Sequence, residues 1–190
     1  MGLQRVLSFA RTLLERAVKP EDAVVDATVG NGHDTVFLAQ LVGEQGRVYG
    51  FDIQTEAIEQ TKLALESKNL MERVSLYDSG HESLLETIPF EEKGKITGAI
   101  FNLGYLPGGD KSIVTHAETT ISAIEQLLEL MPKGGIVVLV IYHGHAAGAI
   151  ERDALLDYAI NLPQEKVHVL QYGFINQKNN PPFILAIEKK

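Results

Sequence analysis

The sequence predicts an α/β fold: a mostly parallel sheet of about seven strands, helices on both faces and an antiparallel hairpin at the C-terminal edge. Three observations lead there. Short apolar runs alternate with longer amphipathic segments, and strand and helix alternate five times; such alternation joins parallel strands through helical crossovers. Ile136–Ile141 is the most β-branched run and reads as a buried strand. The last two strand-like runs, Val167–Tyr172 and Phe183–Ile187, have no helix between them and should pair antiparallel.

Each element follows from its residues. Leu3, Val6, Leu7, Ala10, Leu13, Leu14 and Val18 recur at helical spacing and predict an opening helix, ended by Pro20. Ala23–Ala27 is a short buried strand, and Asp34–Val42 a helix closed by Gly43 and Gly46. Arg47–Phe51 is the second strand, with Asp52 at its end, and Thr55–Lys68 the following helix. Val74–Tyr77 gives the third strand, then an Asp78-Ser79-Gly80 turn and a short helical piece over Ser83–Thr87. Ile96–Leu103 is the fourth strand, and Ile113–Leu130 a long helix stopped by Pro132, Gly134 and Gly135. After the fifth strand, Glu151–Asn161 is the last helix, and Gly173–Pro182 should be the loop of the closing hairpin.

Composition sets limits. A length of 190 residues fits one domain, taken as 1–190, and 45% hydrophobic residues suffice for an ordinary core. Against 17 Lys and Arg stand 25 Asp and Glu, a net charge of −8 that excludes a general basic coat for nucleic acid but not a local basic patch. The absence of cysteine excludes disulfides, thiolate nucleophiles and zinc–thiolate sites, and fits a cytoplasmic protein. No apolar run reaches the roughly 18 residues of a membrane span, so no membrane partner is expected. The N-terminus carries Arg5, Arg11, Glu15, Arg16 and Lys19 along its length, unlike a signal peptide.

In open sheets of this kind ligands bind beyond the carboxyl ends of the strands, so the loops there carry the chemistry. The first reads Asp26-Ala27-Thr28-Val29-Gly30-Asn31-Gly32-His33-Asp34. Its glycines let backbone approach a ligand, and the helix behind offers free N–H groups; an ordinary strand-to-helix turn is the plain alternative. Asp52, about 20 residues beyond, stands where an acid accepts hydrogen bonds from ribose hydroxyls in nucleotide-binding sheets, with Gln54 close behind it. As a helix N-cap it would need no ligand. No Gly-Lys-Ser/Thr ending follows, which excludes a P-loop, and Thr35 occupies the third-glycine position of a dinucleotide fingerprint. S-adenosylmethionine has no pyrophosphate and needs no third glycine. It needs close backbone approach, an acid for its ribose and a polar loop for its adenine, which Ser79, Gly80 and His81 would supply.

The fourth loop reads Phe101-Asn102-Leu103-Gly104-Tyr105-Leu106-Pro107-Gly108-Gly109-Asp110. Enzymes that methylate amino nitrogens of nucleic acids often carry Asn/Asp-Pro-Pro-Tyr/Phe there. The Asn oxygen accepts the amine N–H and steers the nitrogen lone pair, while the ring stacks on the base. Asn102 and Tyr105 keep that spacing, with Leu103-Gly104 in place of the prolines; a plain Gly/Pro-rich turn is the alternative. Tyr142, His143 and His145 follow the fifth strand and would face the same cleft. Substrate contact or proton handling suits them better than a metal, and a purely structural role serves equally well.

The first loop, the stretch Phe101–Asp110 and Glu118-Thr119-Thr120 together resemble the YtqB-like family of small bacterial rRNA methylases, over nearly the whole chain. The resemblance implies a Rossmann-like class I methyltransferase fold with S-adenosylmethionine as cofactor. It also implies methylation of 5-aminomethyl-2-thiouridine at the tRNA wobble position to the 5-methylaminomethyl derivative, the MnmM activity of that family's members. Asp26, Thr28, Gly30, Asn31, Gly32 and Asp34 would then hold the cofactor, together with Asp52, Gln54, Ser79, Gly80 and His81. Asn102 and Tyr105 would position the amine. His145, His143 or Asp110 would take its proton, and Tyr142 and His143 would meet the substrate. Methyl transfer would be direct, without a covalent enzyme intermediate.

A tRNA partner sits awkwardly with a net charge of −8, because phosphate contacts usually dominate affinity. Residues 1–20 carry four basic residues and one acid, so a basic strip including Arg5 and Arg11 is expected to hold the RNA; solvated helix charges are the alternative. A wobble base in the anticodon loop is already single-stranded, so reaching it costs little unpairing. Competing readings are methylation of rRNA or another amine, an NAD-linked oxidoreductase on the same glycine loop, and a non-catalytic RNA-binding module. The apolar C-terminal hairpin would either support a homodimer or lie under a helix.

Overall fold

Every short apolar run becomes a strand in the computed structural model, which describes residues 2–104, 108 and 112–190. The chain runs through α1 (Val6–Ala17), β1 (Ala23–Asp26), α2 (His33–Leu41), β2 (Arg47–Asp52), α3 (Thr55–Glu66) and β3 (Val74–Asp78). A short α4 (Leu84–Thr87) leads to β4 (Ile96–Leu103), α5 (Ala117–Leu130), β5 (Ile136–Ile141), α6 (Ala146–Ile160), β6 (Val167–Tyr172) and β7 (Phe183–Lys189). The seven strands form one sheet in the order β3-β2-β1-β4-β5-β7-β6. Strands β1 to β5 pair in parallel, whereas β7 runs antiparallel to both β5 and β6. All six residues of β5 are buried, as a strand covered on both faces requires. The outer edge, β6, exposes residues 168–171.

Two apolar layers sandwich the sheet. On one face Val6, Ala10 and Leu14 of α1, Leu38 of α2 and Leu65 of α3 meet Val24, Val138 and Ile184. On the other, Ile124 and Leu127 of α5 and Leu155 of α6 meet Val25, Phe101 and Leu139. Among the described residues no helix is long and apolar enough to cross a membrane.

Two helix starts differ from expectation. Helix α5 begins at Ala117 rather than Ile113, because His116 is extended (φ −129°, ψ 140°) and residues 113–116 run as an irregular wall. Helix α6 begins at Ala146 rather than Glu151. The His145 ring accepts the Gly148 N–H at 3.1 Å and so caps the helix ahead of the expected start. Strand β7 runs on to Lys189, whose carbonyl accepts the Gly134 N–H at 2.7 Å.

Candidate active site at the strand ends

Strand order reverses between β1 and β4, the place where open α/β sheets hold ligands. A cavity of about 960 Å³ lies at the carboxyl ends of the strands there. Small-molecule sites span roughly 300–1,000 Å³, so it has room for a nucleotide-sized ligand and part of a second one. The first loop contributes Thr28, Gly30, Asn31 and Asp34; Asp52 ends β2 and Gln54 lies beyond it, and Gly80 and His81 follow β3. Asn102 on β4, then Tyr142, His143 and His145 beyond β5, and Arg11 from α1 complete the expected set. Asp26, Gly32 and Ser79 do not line the cavity, and Arg5 is exposed away from its wall. Tyr105 and Asp110 lie outside the described residues.

The glycine loop and the acid that ends β2 are built as one unit. Gly32 has φ +75°, and a Cβ there would meet Thr61 Oγ1 at 2.6 Å, so only glycine fits. Asp52 Oδ2 accepts the Gly30 N–H at 2.8 Å and Oδ1 accepts the Gln54 N–H at 3.0 Å. Each carboxylate oxygen keeps a further lone pair for a ligand hydroxyl. Asp26 sits beneath the loop, fully buried, taking the Thr35 hydroxyl at 2.6 Å and the Thr28 N–H at 3.2 Å. Burial, reinforced by the nearby Asp34 carboxylate, pushes its pKa up to about 7.

His81 offers an acceptor. Its Nδ1 lies 2.9 Å from the Ala27 carbonyl, which only accepts, so Nδ1–H donates and Nε2 carries the lone pair. That Nε2 is buried without a hydrogen-bond partner among the described residues. Burial also lowers the pKa of the ring and keeps it neutral.

Asn102 is fixed at both ends. Its backbone N–H donates to Thr28 Oγ1 at 2.7 Å, and Nδ2 donates to Asp34 Oδ2 at 2.9 Å. A carboxylate accepts only, so the amide cannot flip, and its oxygen is turned away from Asp34. Arg11 holds the other Asp34 oxygen at 3.0 and 3.2 Å while its guanidinium lies 5.0 Å over the Phe37 ring.

The two histidines after β5 are committed differently from the sequence expectation. His145 Nδ1 accepts the Gly148 N–H, so the neutral ring carries its hydrogen on Nε2. His143 Nδ1 faces Arg152 Nη1 at 3.2 Å, so Nε2–H donates to the Pro181 carbonyl at 3.0 Å. Neither arrangement leaves a ring nitrogen ready to take a substrate proton. His143 instead clasps the β6–β7 loop to the site. Among the described residues, no group of three His, Cys, Asp or Glu side chains gathers to hold a metal.

Sequence reasoning missed Glu151. This α6 carboxylate is 3% exposed and accepts the Thr115 hydroxyl at 2.5 Å and the Thr120 hydroxyl at 2.9 Å. Thr115 Oγ1 in turn accepts the Gly104 N–H at 3.0 Å, and the Thr115 N–H donates to the Gly104 carbonyl at 3.1 Å. Both ends of the β4–α5 loop are thereby tied to one acid, whose pKa burial raises. Also missed was the wall formed by Asn179, Asn180, Pro181 and Pro182, for which the Asn-Asn-Pro-Pro run was the available signal.

Comparison with known proteins agrees with this architecture. The family model described as putative rRNA methylase matches residues 48–188. A chloroplastic tRNA (mnm(5)s(2)U34)-methyltransferase of Arabidopsis thaliana is 32% identical over 197 residues, covering 100% of this chain and 71% of that protein. A crystal structure of a putative rRNA-methylase from Clostridium thermocellum superimposes with a TM-score of 0.96 at 44% identity, covering 100% of both chains. A putative methyltransferase from Streptococcus mutans, solved in complex with SAH, gives a TM-score of 0.89 at 36% identity, again over 100% of both chains.

Proposed function

The chain belongs to the putative rRNA methylase family, and from that premise we propose that its substrate is the wobble uridine of tRNA, methylated on the nitrogen of a 5-aminomethyl group. It is an S-adenosylmethionine-dependent RNA methyltransferase with a Rossmann-like class I fold. The residues present fit that cofactor. Asp52 keeps a lone pair on each oxygen for the two ribose hydroxyls, and the buried, unpartnered His81 Nε2 is an acceptor for an amine or hydroxyl N–H or O–H of the ligand. When bound, S-adenosylmethionine supplies an electrophilic methyl group.

The observation that carries the amine reading is the Asp34–Asn102 hydrogen bond. It leaves the Asn102 oxygen as an acceptor of fixed direction, suited to an amine N–H. Holding the amine by one N–H aims its lone pair, and such positioning accounts for much of the rate in a direct transfer. An aliphatic amine is mostly protonated at neutral pH and must lose a proton to react. His143 and His145 are committed elsewhere; the Asp34 carboxylate, in the cavity wall beside Asn102, keeps a further lone pair on Oδ2 that can accept a hydrogen bond from the amine. The Arabidopsis relative, whose name specifies position 34 of tRNA, supports the choice of base.

The test is methyl transfer from labelled S-adenosylmethionine to total tRNA from cells lacking the modification, read by nucleoside mass spectrometry. One methyl gained by the aminomethyl-thiouridine is the expected result. Label entering rRNA but not tRNA would discard the wobble substrate and keep the methyltransferase.

A further inference from the structure

An acidic protein that binds RNA must keep its own carboxylates away from the phosphates. Residues 2–14, which carry Arg5 and Arg11, and residues 172–187, which carry Lys178, contain none of the 25 acids. They are far apart in sequence, yet the fold brings them together. Phe9 stacks on Tyr172 with centroids 4.0 Å apart, and the Tyr172 hydroxyl donates to the Gln4 carbonyl at 2.8 Å. Both stretches reach the cavity, one through Leu7 and Arg11, the other through residues 179–182.

The loop between β6 and β7 is held at this rim by the His143–Pro181 bond. Asn179 and Asn180 there adopt left-handed φ values of 65° and 49°, a region that asparagine tolerates better than most residues. Its exposed surface presents the side-chain amides of Asn176, Gln177, Asn179 and Asn180 beside a fully exposed Ile175. Amides pair with the edges of unstacked bases, and apolar side chains pack on their faces.

We propose that residues 2–14 and the β6–β7 loop form one docking surface for a single-stranded loop of RNA, which it leads into the cavity. The proposal rests on the RNA-methyltransferase reading above and names the surface that reading requires. Arg5 and Lys178 supply phosphate contacts, while the loop amides and Ile175 meet the bases flanking the target.

The test compares two double variants with equal change in net charge. Arg5→Glu with Lys178→Glu alters the proposed surface, whereas Lys62→Glu with Lys68→Glu alters exposed positions on and just beyond α3. Anisotropy of labelled tRNA is followed across a salt series. The first variant should bind at least tenfold more weakly and flatten the slope of log K against log salt by about two. The α3 variant should stay within about twofold of the parent, because its charges lie off the path of the RNA. Ile175→Ala should weaken binding with the slope unchanged. SAH affinity, measured by calorimetry, should be the same in all variants and shows that the fold is intact. Equal weakening by both charge variants, or none by the first, overturns the surface. Parent protein that binds tRNA through this surface yet leaves the wobble amine unmethylated keeps the surface and discards the wobble substrate.

Discussion

Asn102 presents its oxygen to the cavity because Asp34 takes its amide hydrogen, and Arg11 keeps Asp34 in place. Asp34→Asn removes that certainty, since an amide neighbour both donates and accepts. Hydrogen bonds to charged groups contribute about 1.5–3 kcal/mol, so kcat should fall roughly 10- to 100-fold. Asn102→Ala should cost at least as much. SAH affinity should barely change in either variant; a parallel loss of affinity would remove the amine-positioning role. Asp26 works on stability instead. Its pKa is about 7 in the native state against 3.8 for an ordinary aspartate, so between those values the native state binds more protons. Stability contributed by the protonated form is complete below pH 4 and falls as pH rises to about 7. Asp26→Asn abolishes that slope. Urea unfolding across this range should show the variant gaining on the parent with rising pH, by up to about 4 kcal/mol at pH 8.

At the scale of elements, Gly104 and Thr115, the ends of the segment between β4 and α5, are held by a helix that follows them in sequence. Glu151 on α6 accepts both threonine hydroxyls and, through Thr115, holds Gly104 two residues beyond Asn102. Glu151→Gln cannot accept from both threonines and leaves a buried hydroxyl hydrogen without an acceptor. Such a loss costs about 1–3 kcal/mol, so thermal denaturation should shift down by a few degrees. Turnover should fall roughly tenfold with KM for S-adenosylmethionine unchanged, because the loop moves and the cofactor side does not. These links also show where sequence reading stops. The strands are legible because apolar runs bounded by turns have one solution in a doubly covered sheet, and Asp52 and Asn102 are legible because they end strands. Glu151 is not, because its partners lie 31 and 36 residues away and nothing local marks it as buried. Nor is the Asp34–Asn102 pair, formed across 68 residues. The start of α6 rests on a histidine ring as its N-cap, a residue type outside the Ser, Thr, Asp and Asn that usually mark a helix start.

Across the whole molecule, the first helix and the last strands share one core. Val6, Ala10 and Leu14 of α1 pack on a face that includes Val138 of β5 and Ile184 and Ala186 of β7. The approach is so close that a Cβ on Gly98 would lie 2.7 Å from Val18 and 3.2 Å from Leu14. Since α1 also delivers Arg11 to Asp34, the same helix closes the core and braces the site. Leu14 is 0% exposed, and Leu14→Ala leaves a cavity that the facing sheet cannot fill. The loss should be about 2–5 kcal/mol, a large share of the 5–15 kcal/mol typical of a folded domain. A ligand that binds only the native state opposes it by RT ln(1 + [L]/Kd), about 2.7 kcal/mol at a hundredfold excess over Kd. Urea denaturation with and without SAH should therefore show the variant strongly destabilised alone and substantially restored by ligand, with SAH affinity near that of the parent. A loss under about 1 kcal/mol would mean that α1 lies on the sheet without belonging to its cooperative core, and that Arg11 braces the site from a helix free to fray.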